Sequence, residues 1–162
     1  MTKTHAAITI RAATEDDLAA IEALLTASTL PTDGVKEALR GFQVAEADER
    51  IVGVAGVEAC GDYGLLRSTA VAPEWRGHRI AEELVERIIA EASSQHVRSL
   101  YLLTTTAETY FPRFGFQVTS RDAAPAEIRA TSEFRDACPA SATLMCLRLG
   151  QLRNADALRA DL

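Results

Sequence analysis

The run "AVAPEWRGHRIAEELVERI", residues 70–88, decides the fold. An apolar stretch ends at Ala72-Pro73, and a helical pattern opens after Arg76-Gly77-His78-Arg79. The surrounding chain is acidic, with 17 Lys and Arg against 23 Asp and Glu and a formal net charge of −6. Two arginines and a histidine gathered at a helix start are informative against that background. A helix start offers unpaired backbone N–H groups and the positive end of the dipole, so it favours anions. A phosphate there contacts the backbone directly. Gly77 permits close approach, and Arg76 and Arg79 add charge. Spacing alone leaves an equal alternative, a solvated helix start with surface arginines, because short Gly-containing motifs are weak signals.

The pattern on either side supplies the context. Downstream, residues 78–95 place Ala81, Val85, Ile88 and Ala92 on one helical face. "RSLYLLTT" (98–105) is a nearly continuous apolar strand. Strand, helix, apolar strand is a βαβ signature, so the strands near 71 and 103 are expected to be parallel. Upstream, "GFQVAEA" (41–47), "RIVGVAGVEAC" (50–60) and "YGLLRSTAVA" (63–72) read as strands. Asp48-Glu49 and Gly61-Asp62 separate them, which predicts an antiparallel meander.

The chain opens with a strand at "AAITIRAA" (6–13) and a helix at "TEDDLAAIEALLTAS" (14–28), capped by Thr14 with Asp17 three residues on. A short helix is expected near 35–41. "TAETYFPRF" predicts another, limited by Pro112 and ended by Gly115. "GFQVTS" (115–120) and "SATLMCLRL" (141–149) read as strands, and "APAEIRAT" (124–131) as a helix. The tail 150–162 is weakly amphipathic. The 162 residues suit one domain, with a core over about 8–149.

Composition excludes several classes. The acidic balance argues against nucleic-acid and anionic-membrane partners. No window approaches a membrane span, and the N-terminus lacks a signal-peptide layout. Cys60, Cys138 and Cys146 are odd in number and have no C-x-x-C spacing, which argues against a disulfide framework. The expectation is a cytoplasmic protein with reduced thiols, no metal, and a homodimer left open.

The stretch resembles the acetyl-CoA-binding motif of the GCN5-related N-acetyltransferase (GNAT) superfamily. That motif reads Gln/Arg-x-x-Gly-x-Gly/Ala after a strand ending in a form like Val-x-Pro. Here Val71-Ala72-Pro73 ends the strand, and Arg76, Gly77, His78, Arg79, Ile80 and Ala81 fill the six positions. Arg79 stands where glycine is usual. "LYLLTTTAETYFPRFGF" resembles the later strand, helix and "G-F" segment of the superfamily. The resemblance implies an α/β GNAT fold. Its mixed sheet would have an antiparallel first half, a splayed parallel strand pair and helices on both faces. It implies acetyl-CoA as cosubstrate, held by Thr69, Ala70, Val71, Thr104, Phe111 and the six motif residues. The pantetheine arm would pair with the backbone of Thr69 and Val71 like an added strand.

Many GNAT members carry a tyrosine four residues before the glycine of "G-F", where it protonates the departing thiolate. Here that position is Phe111. The acetyltransferase domain of bacterial N-acetylglutamate synthase, which these runs also resemble, likewise has Phe there. "VAGVE", "GLLRSTAV", "LYLLTTTAE" and "EFRDACPASA" resemble N-acetyltransferases encoded with arsenic-resistance genes. Both comparisons imply a small amino-acid-like amine as acceptor. Ser141 falls where N-acetylglutamate synthase has a substrate-contacting Arg-x-Ser segment, with Pro139 in place of the arginine.

Chemistry selects two further residues. Simple alternation puts residues 65, 67, 69 and 71 on one face of their strand. Arg67 is costly to bury unpaired there. It therefore either grips a substrate carboxylate or pairs internally with an acid such as Glu58. Glu58 is the carboxylate embedded in "VAGVEAC", where desolvation suits a general base. An exposed strand-end glutamate is the plain alternative. Two further functions compete with catalysis: an acyl-CoA sensor, motivated by Arg79 and Phe111, and a metalloid site built from the three cysteines.

Overall fold

The computed structural model describes residues 7–137 and 141–150, with the side chains of 136 and 137 excepted. Seven strands form one sheet in the order β1-β2-β3-β4-β5-β7-β6. They are β1 (Thr9–Ala12), β2 (Phe42–Ala47), β3 (Arg50–Cys60), β4 (Tyr63–Val71), β5 (Ser99–Thr104), β6 (Gln117–Val118) and β7 (Thr143–Arg148). Among the described residues the α-helices are α1 (Leu18–Ala27), α2 (Ile80–Ser94) and α3 (Ala126–Arg129). The chain divides into two compact units, residues 1–56 with 68–88, and residues 57–67 with 89–162.

In the first unit β1 and β2 pair antiparallel, as do β2 and β3. The tight turn between β2 and β3 places Asp48 and Glu49 at φ 51° and 61°. Two successive positive φ values match the twist of a two-residue hairpin, so these two residues turn the chain without glycine. The helix expected over 14–28 starts as a 3-10 turn at Glu15–Asp17 and becomes α-helical at Leu18. The Thr14 N–H donates to Asp17 Oδ2 at 2.8 Å, which gives the expected cap. The helix expected at 35–41 is instead a series of turns ending in a 3-10 turn, Leu39–Gly41. Ile21, Leu25, Val35, Leu39, Phe42, Val44, Val54 and Ala70 form this unit's core. Gly53 on β3 lets α2 come close. A Cβ there would lie 2.8 Å from Ile80 and 3.2 Å from Leu84. Leu84, Val85 and Ile88 of α2 are buried, and full burial stabilises by about 1.5–3 kcal/mol for each such side chain.

In the second unit β4 and β5 are parallel, as the βαβ pattern predicts. Their recorded register covers Tyr63–Ser99, Gly64–Leu100 and Leu65–Tyr101. β7 pairs antiparallel with all six residues of β5 and carries β6 on its other edge. The core here is Cys60, Leu65, Tyr101, Ala124, Ile128 and Leu144. The helix expected in "TAETYFPRF" is reduced to a 3-10 turn at Phe111–Phe114. Pro112 sits in the first turn of that element, and Gly115 at φ 98° ends it. The tail from residue 151 lies outside the described residues.

One sequence expectation fails inside β4. Ser68 has φ 59° and is buried. A left-handed residue within a strand is a bulge, and a bulge interrupts the two-residue alternation. Residues 65 and 67 therefore do not share a continuous pleat with 69 and 71. Such strain costs about 1–3 kcal/mol and clusters at functional sites. Here it falls between Arg67 and Thr69, both singled out by the sequence.

Candidate functional site

The loop that ends β4 is built by its own backbone. Pro73–Trp75 form a 3-10 turn, and Arg76, Gly77, His78 and Arg79 follow it, all exposed. Gly77 has φ 87° and Arg79 has φ 60°. A Cβ on Gly77 would meet nothing within 4 Å, so this glycine is required by its φ and not by crowding. The same reasoning explains the motif's usual glycine at position 79, where the backbone is left-handed and this chain pays for an arginine. The Arg79 carbonyl accepts the Glu83 N–H at 3.1 Å, which starts α2. His78 Nδ1 lies 3.0 Å from the Trp75 carbonyl and 3.2 Å from that of Arg76. Carbonyls only accept, so Nδ1 carries the proton and His78 shapes the loop. The His78 and Trp75 rings are 5.4 Å apart.

The second constellation is buried. Arg67 of β4 has a fully buried side chain. Its Nη1 donates to Glu58 Oε1 of β3 at 3.2 Å. Its Nε lies 4.0 Å from Glu133 Oε2. Glu58 keeps 21% of its side chain exposed and Glu133 only 8%. Among the described residues, the recorded contact of the Glu58 carboxylate is through Oε1 alone. Glu58 is thus oriented by a cation through one oxygen. The internal pair that the sequence left open is present.

Glu133 was not singled out by sequence reasoning. It opens a π-helical turn, Glu133–Ala137, just after α3. π-turns are rare and recur at functional sites. No periodicity marks such a turn, and the signal available was an acidic residue beside Phe134.

The other sequence-selected residues are placed as follows. Thr104 Oγ1 accepts the Ala107 N–H at 2.9 Å and so closes the turn after β5. Phe111 is buried, with its ring centroid 5.3 Å from that of Tyr110 and 5.8 Å from that of Phe116. Tyr110 is stacked under Arg113, whose guanidinium carbon lies 4.1 Å from the ring centroid. Ser141 is exposed, just before β7. Thr69 and Val71 are half-buried, and Ala70 is buried in the first core. Burial first, then the charges of Glu58 and Glu127, pushes the Cys60 thiol up to about 11. It is therefore a protonated, inert thiol at neutral pH. Cys138 lies outside the described residues. Among the described residues no group of three or more His, Cys, Asp or Glu is arranged to hold a metal ion. No helix among them is long and apolar enough to cross a membrane. A cavity of about 550 Å³ on the second unit is lined by Tyr101, Phe114, Gln117, Cys146 and Arg148 among others. Of the residues that the sequence singles out, it holds Cys146 and none of those expected to hold acetyl-CoA or the acceptor.

Residues 38–118 match the model of the acetyltransferase (GNAT) domain, and the chain belongs to that family. It is 36% identical over 87 residues to the amino-acid acetyltransferase of Pseudomonas fluorescens strain Pf0-1. That match covers 52% of this chain and 20% of the relative. The corresponding enzyme of Azotobacter vinelandii is 34% identical, also over 52% of this chain and 20% of its own length. The chain thus spans about a fifth of these relatives. Among solved structures, N-acetylglutamate synthase from Neisseria gonorrhoeae, complexed with coenzyme A and N-acetyl-glutamate, superposes with a TM-score of 0.75. It is 24% identical and covers 90% of this chain and 36% of its own. Rv2747 from Mycobacterium tuberculosis, in complex with CoA and NLQ, superposes at 0.73 with 24% identity, over 86% of this chain and 98% of its own. At these identities the structural likeness shows the GNAT fold.

Proposed function

We propose that this chain transfers the acetyl group of acetyl-CoA to the primary amine of a small amino-acid-like acceptor, in the cytoplasm. Family membership supports acetyl transfer, and the names of the relatives support an amino-acid acceptor. The observation that carries the chemistry is Glu58, held by Arg67 through Oε1 alone and partly open to solvent. A base oriented by a third group is the usual design for activating a nucleophile.

In this reading the pyrophosphate sits on the loop from Arg76 to Ala81, on backbone N–H groups at the start of α2. The arm pairs with the backbone of Thr69 and Val71. Glu58 accepts a proton from the acceptor's ammonium, directly or through water. The freed nitrogen attacks the acetyl carbonyl carbon in a ternary complex, the C–S bond breaks, the nitrogen gives its second proton to water, and CoA leaves as its thiolate. Phe111 has no proton to give, and the Tyr110 ring is stacked under Arg113. A thiol of ordinary pKa near 8.5 leaves tolerably at neutral pH, with water as the proton source. Arg67 and Ser141 border the acceptor.

The test is CoA thiol release from acetyl-CoA with a panel of the standard α-amino acids. Turnover with none of them, together with retained acetyl-CoA binding, favours the acyl-CoA sensor that Phe111 motivates. Arg76→Ala is expected to raise the KM for acetyl-CoA roughly tenfold to a hundredfold, because a charged phosphate contact contributes about 1.5–3 kcal/mol. An unchanged KM would remove the phosphate loop from the reading. The link to arsenic resistance rests on the resemblance of four short runs, and growth on arsenite with and without the gene tests it. The metalloid site is disfavoured by the Cys60 thiol, which must lose a strongly held proton before it can ligate.

A further inference from the structure

The cavity of the second unit follows from a short strand. β6 is two residues long, and its register with β7 covers Gln117–Cys146 and Val118–Met145. β7 runs on through Leu147 and Arg148, and no β6 residue stands opposite them. Upstream of β6 the chain turns away through Gly115, at φ 98°. A cavity of about 550 Å³ opens there, with Gly115, Gln117, Leu147 and Arg148 in its lining. Its size suits a small molecule, since such pockets run from about 300 to 1,000 Å³.

Strand register gathers polar groups on one face of the sheet. Directly opposed residues of neighbouring strands share a face, and so do residues two apart on one strand. Tyr101 and Gln117 both stand opposite Cys146, and Arg148 follows two residues on. All four line the cavity. Their charge is one-sided. No Asp or Glu stands among the described residues of the lining. Among the described residues the arginines paired with acids are Arg11, Arg50 and Arg67, and Arg148 is not one of them. Burial first, then Cys146, pushes the Tyr101 hydroxyl up to about 12, so it is uncharged at neutral pH. The remaining wall is apolar, with Phe114, Leu147 and Val118, which is 64% exposed.

We propose that this cavity binds a small carboxylate with a short apolar body. The Arg148 guanidinium takes the carboxylate, whose two oxygens match the arginine fork. The Gln117 amide donates beside it, and the body lies against Phe114, Val118 and Leu147. A cationic ligand would meet Arg148 with no acid to hold it. Neither Glu58 nor the loop 76–81 lines the cavity, so the inference stands apart from acetyl transfer.

The test is a titration of the isotope-labelled full chain, followed by amide NMR, with sodium hexanoate, hexylammonium chloride and inorganic phosphate in turn. Hexanoate should give saturable shifts centred on residues 115–119 and 146–148, with a Kd of about 1–10 mM. Hexylammonium should leave those amides unchanged, and phosphate should bind at least about tenfold more weakly than hexanoate. Arg148→Gln should weaken hexanoate about tenfold or more, and Arg148→Lys, which keeps the charge and loses the fork, should fall between. Arg148 is exposed, so the variants should fold, and the wild-type comparison of the three probes stands without them. Shifts that do not saturate, or that centre on residues 76–81, would overturn the proposal. Equal binding of hexylammonium, or of phosphate, would overturn the carboxylate class. Undiminished hexanoate binding in Arg148→Gln would remove the cation from the site and sink the proposal as well.

Discussion

Two arginines of this chain each lie between two carboxylates, one in each compact unit. Arg11 forms a fork with Asp17, at 2.7 Å to Oδ2 and 2.9 Å to Oδ1, and its Nε donates to Glu46 at 2.9 Å. Its side chain is about one-third exposed, at 33%. Arg67 is fully buried, with contacts of 3.2 Å and 4.0 Å. The contacts of Arg11 to Asp17 and Glu46 are shorter than those of Arg67 to Glu58 and Glu133. Stability alone would favour the reverse, because a buried charge needs its partners most. The Arg11 cluster engages both oxygens of Asp17 and fixes the start of α1 through the Thr14 cap. The Arg67 cluster leaves a carboxylate oxygen uncommitted. Glu46 is likewise held through one oxygen, so the two clusters differ in the depth of the arginine: the Arg67 side chain is fully buried and the Arg11 side chain is not.

The largest expected effect separates the two clusters by deletion. Arg67→Ala leaves Glu133 buried beside no guanidinium, and breaking a buried pair costs about 3–5 kcal/mol. Arg11→Ala removes a partly exposed guanidinium from the buried Asp17 and the half-buried Glu46, and is expected to cost about 1–2 kcal/mol. Urea denaturation at neutral pH reads both. Kinetics divide them further, because Arg67→Ala should also lower kcat and weaken the acceptor, while Arg11→Ala should leave both unchanged in the folded fraction. Normal kinetics in Arg67→Ala beside a large fall in stability would make both clusters structural and end the contrast.

Acid sharpens it next. The hydrogen bonds from Arg11, opposed by burial and helped by the Thr14 N–H, hold the Asp17 carboxyl down at about 2, against an ordinary 3.8. The same bonds raise the Arg11 guanidinium above its usual range. A depressed carboxyl contributes stability that is fully present above its unfolded value and is lost as the pH falls through its folded value. That contribution should therefore disappear between about pH 4 and pH 2. Discounted for the exposure of Arg11, it is about 1–2 kcal/mol. Asp17→Asn should lower stability by that amount at pH 7, flatten the acid limb of a stability–pH curve, and leave kcat unchanged. An unflattened limb would show that the depressed carboxyl belongs to another group.

The sequence made the scaffold readable where periodicity is long. α2 was expected over 78–95 and spans Ile80–Ser94, and the meander strands agree within a residue or two. Short elements were less legible because proline, turns and 3-10 geometry leave no periodic mark. Phe111–Phe114 and Leu39–Gly41 are the examples. The Arg67–Glu58 pair was legible because a charge on an apolar strand must have a partner. Glu133 was not, because its contact to Arg67 spans 66 positions of sequence, from 67 to 133. The Ser68 bulge was hidden as well, since serine carries no turn signal in a strand. Arg79 is intermediate. The resemblance marked it as a departure from glycine, but only the backbone shows what glycine would have provided.

The smallest expected effect concerns that residue. Arg79 at φ 60° sits where a Cβ costs roughly 1–2 kcal/mol, and glycine carries no such penalty. Glycine also makes the unfolded chain freer, which costs about 0.4–1 kcal/mol. Arg79→Gly should thus gain about 0.5–1 kcal/mol, or roughly 2 °C in Tm for a chain of this size. Calorimetry for stability, paired with isothermal titration of CoA, separates the two reasons for keeping arginine. A stability gain with unchanged CoA affinity makes Arg79 a strained loop residue whose backbone N–H suffices for the phosphate. A stability gain with about tenfold weaker CoA binding makes its side chain a phosphate contact held at the cost of that strain. No gain in stability would mean that the left-handed backbone at position 79 is relieved by contacts of the arginine itself.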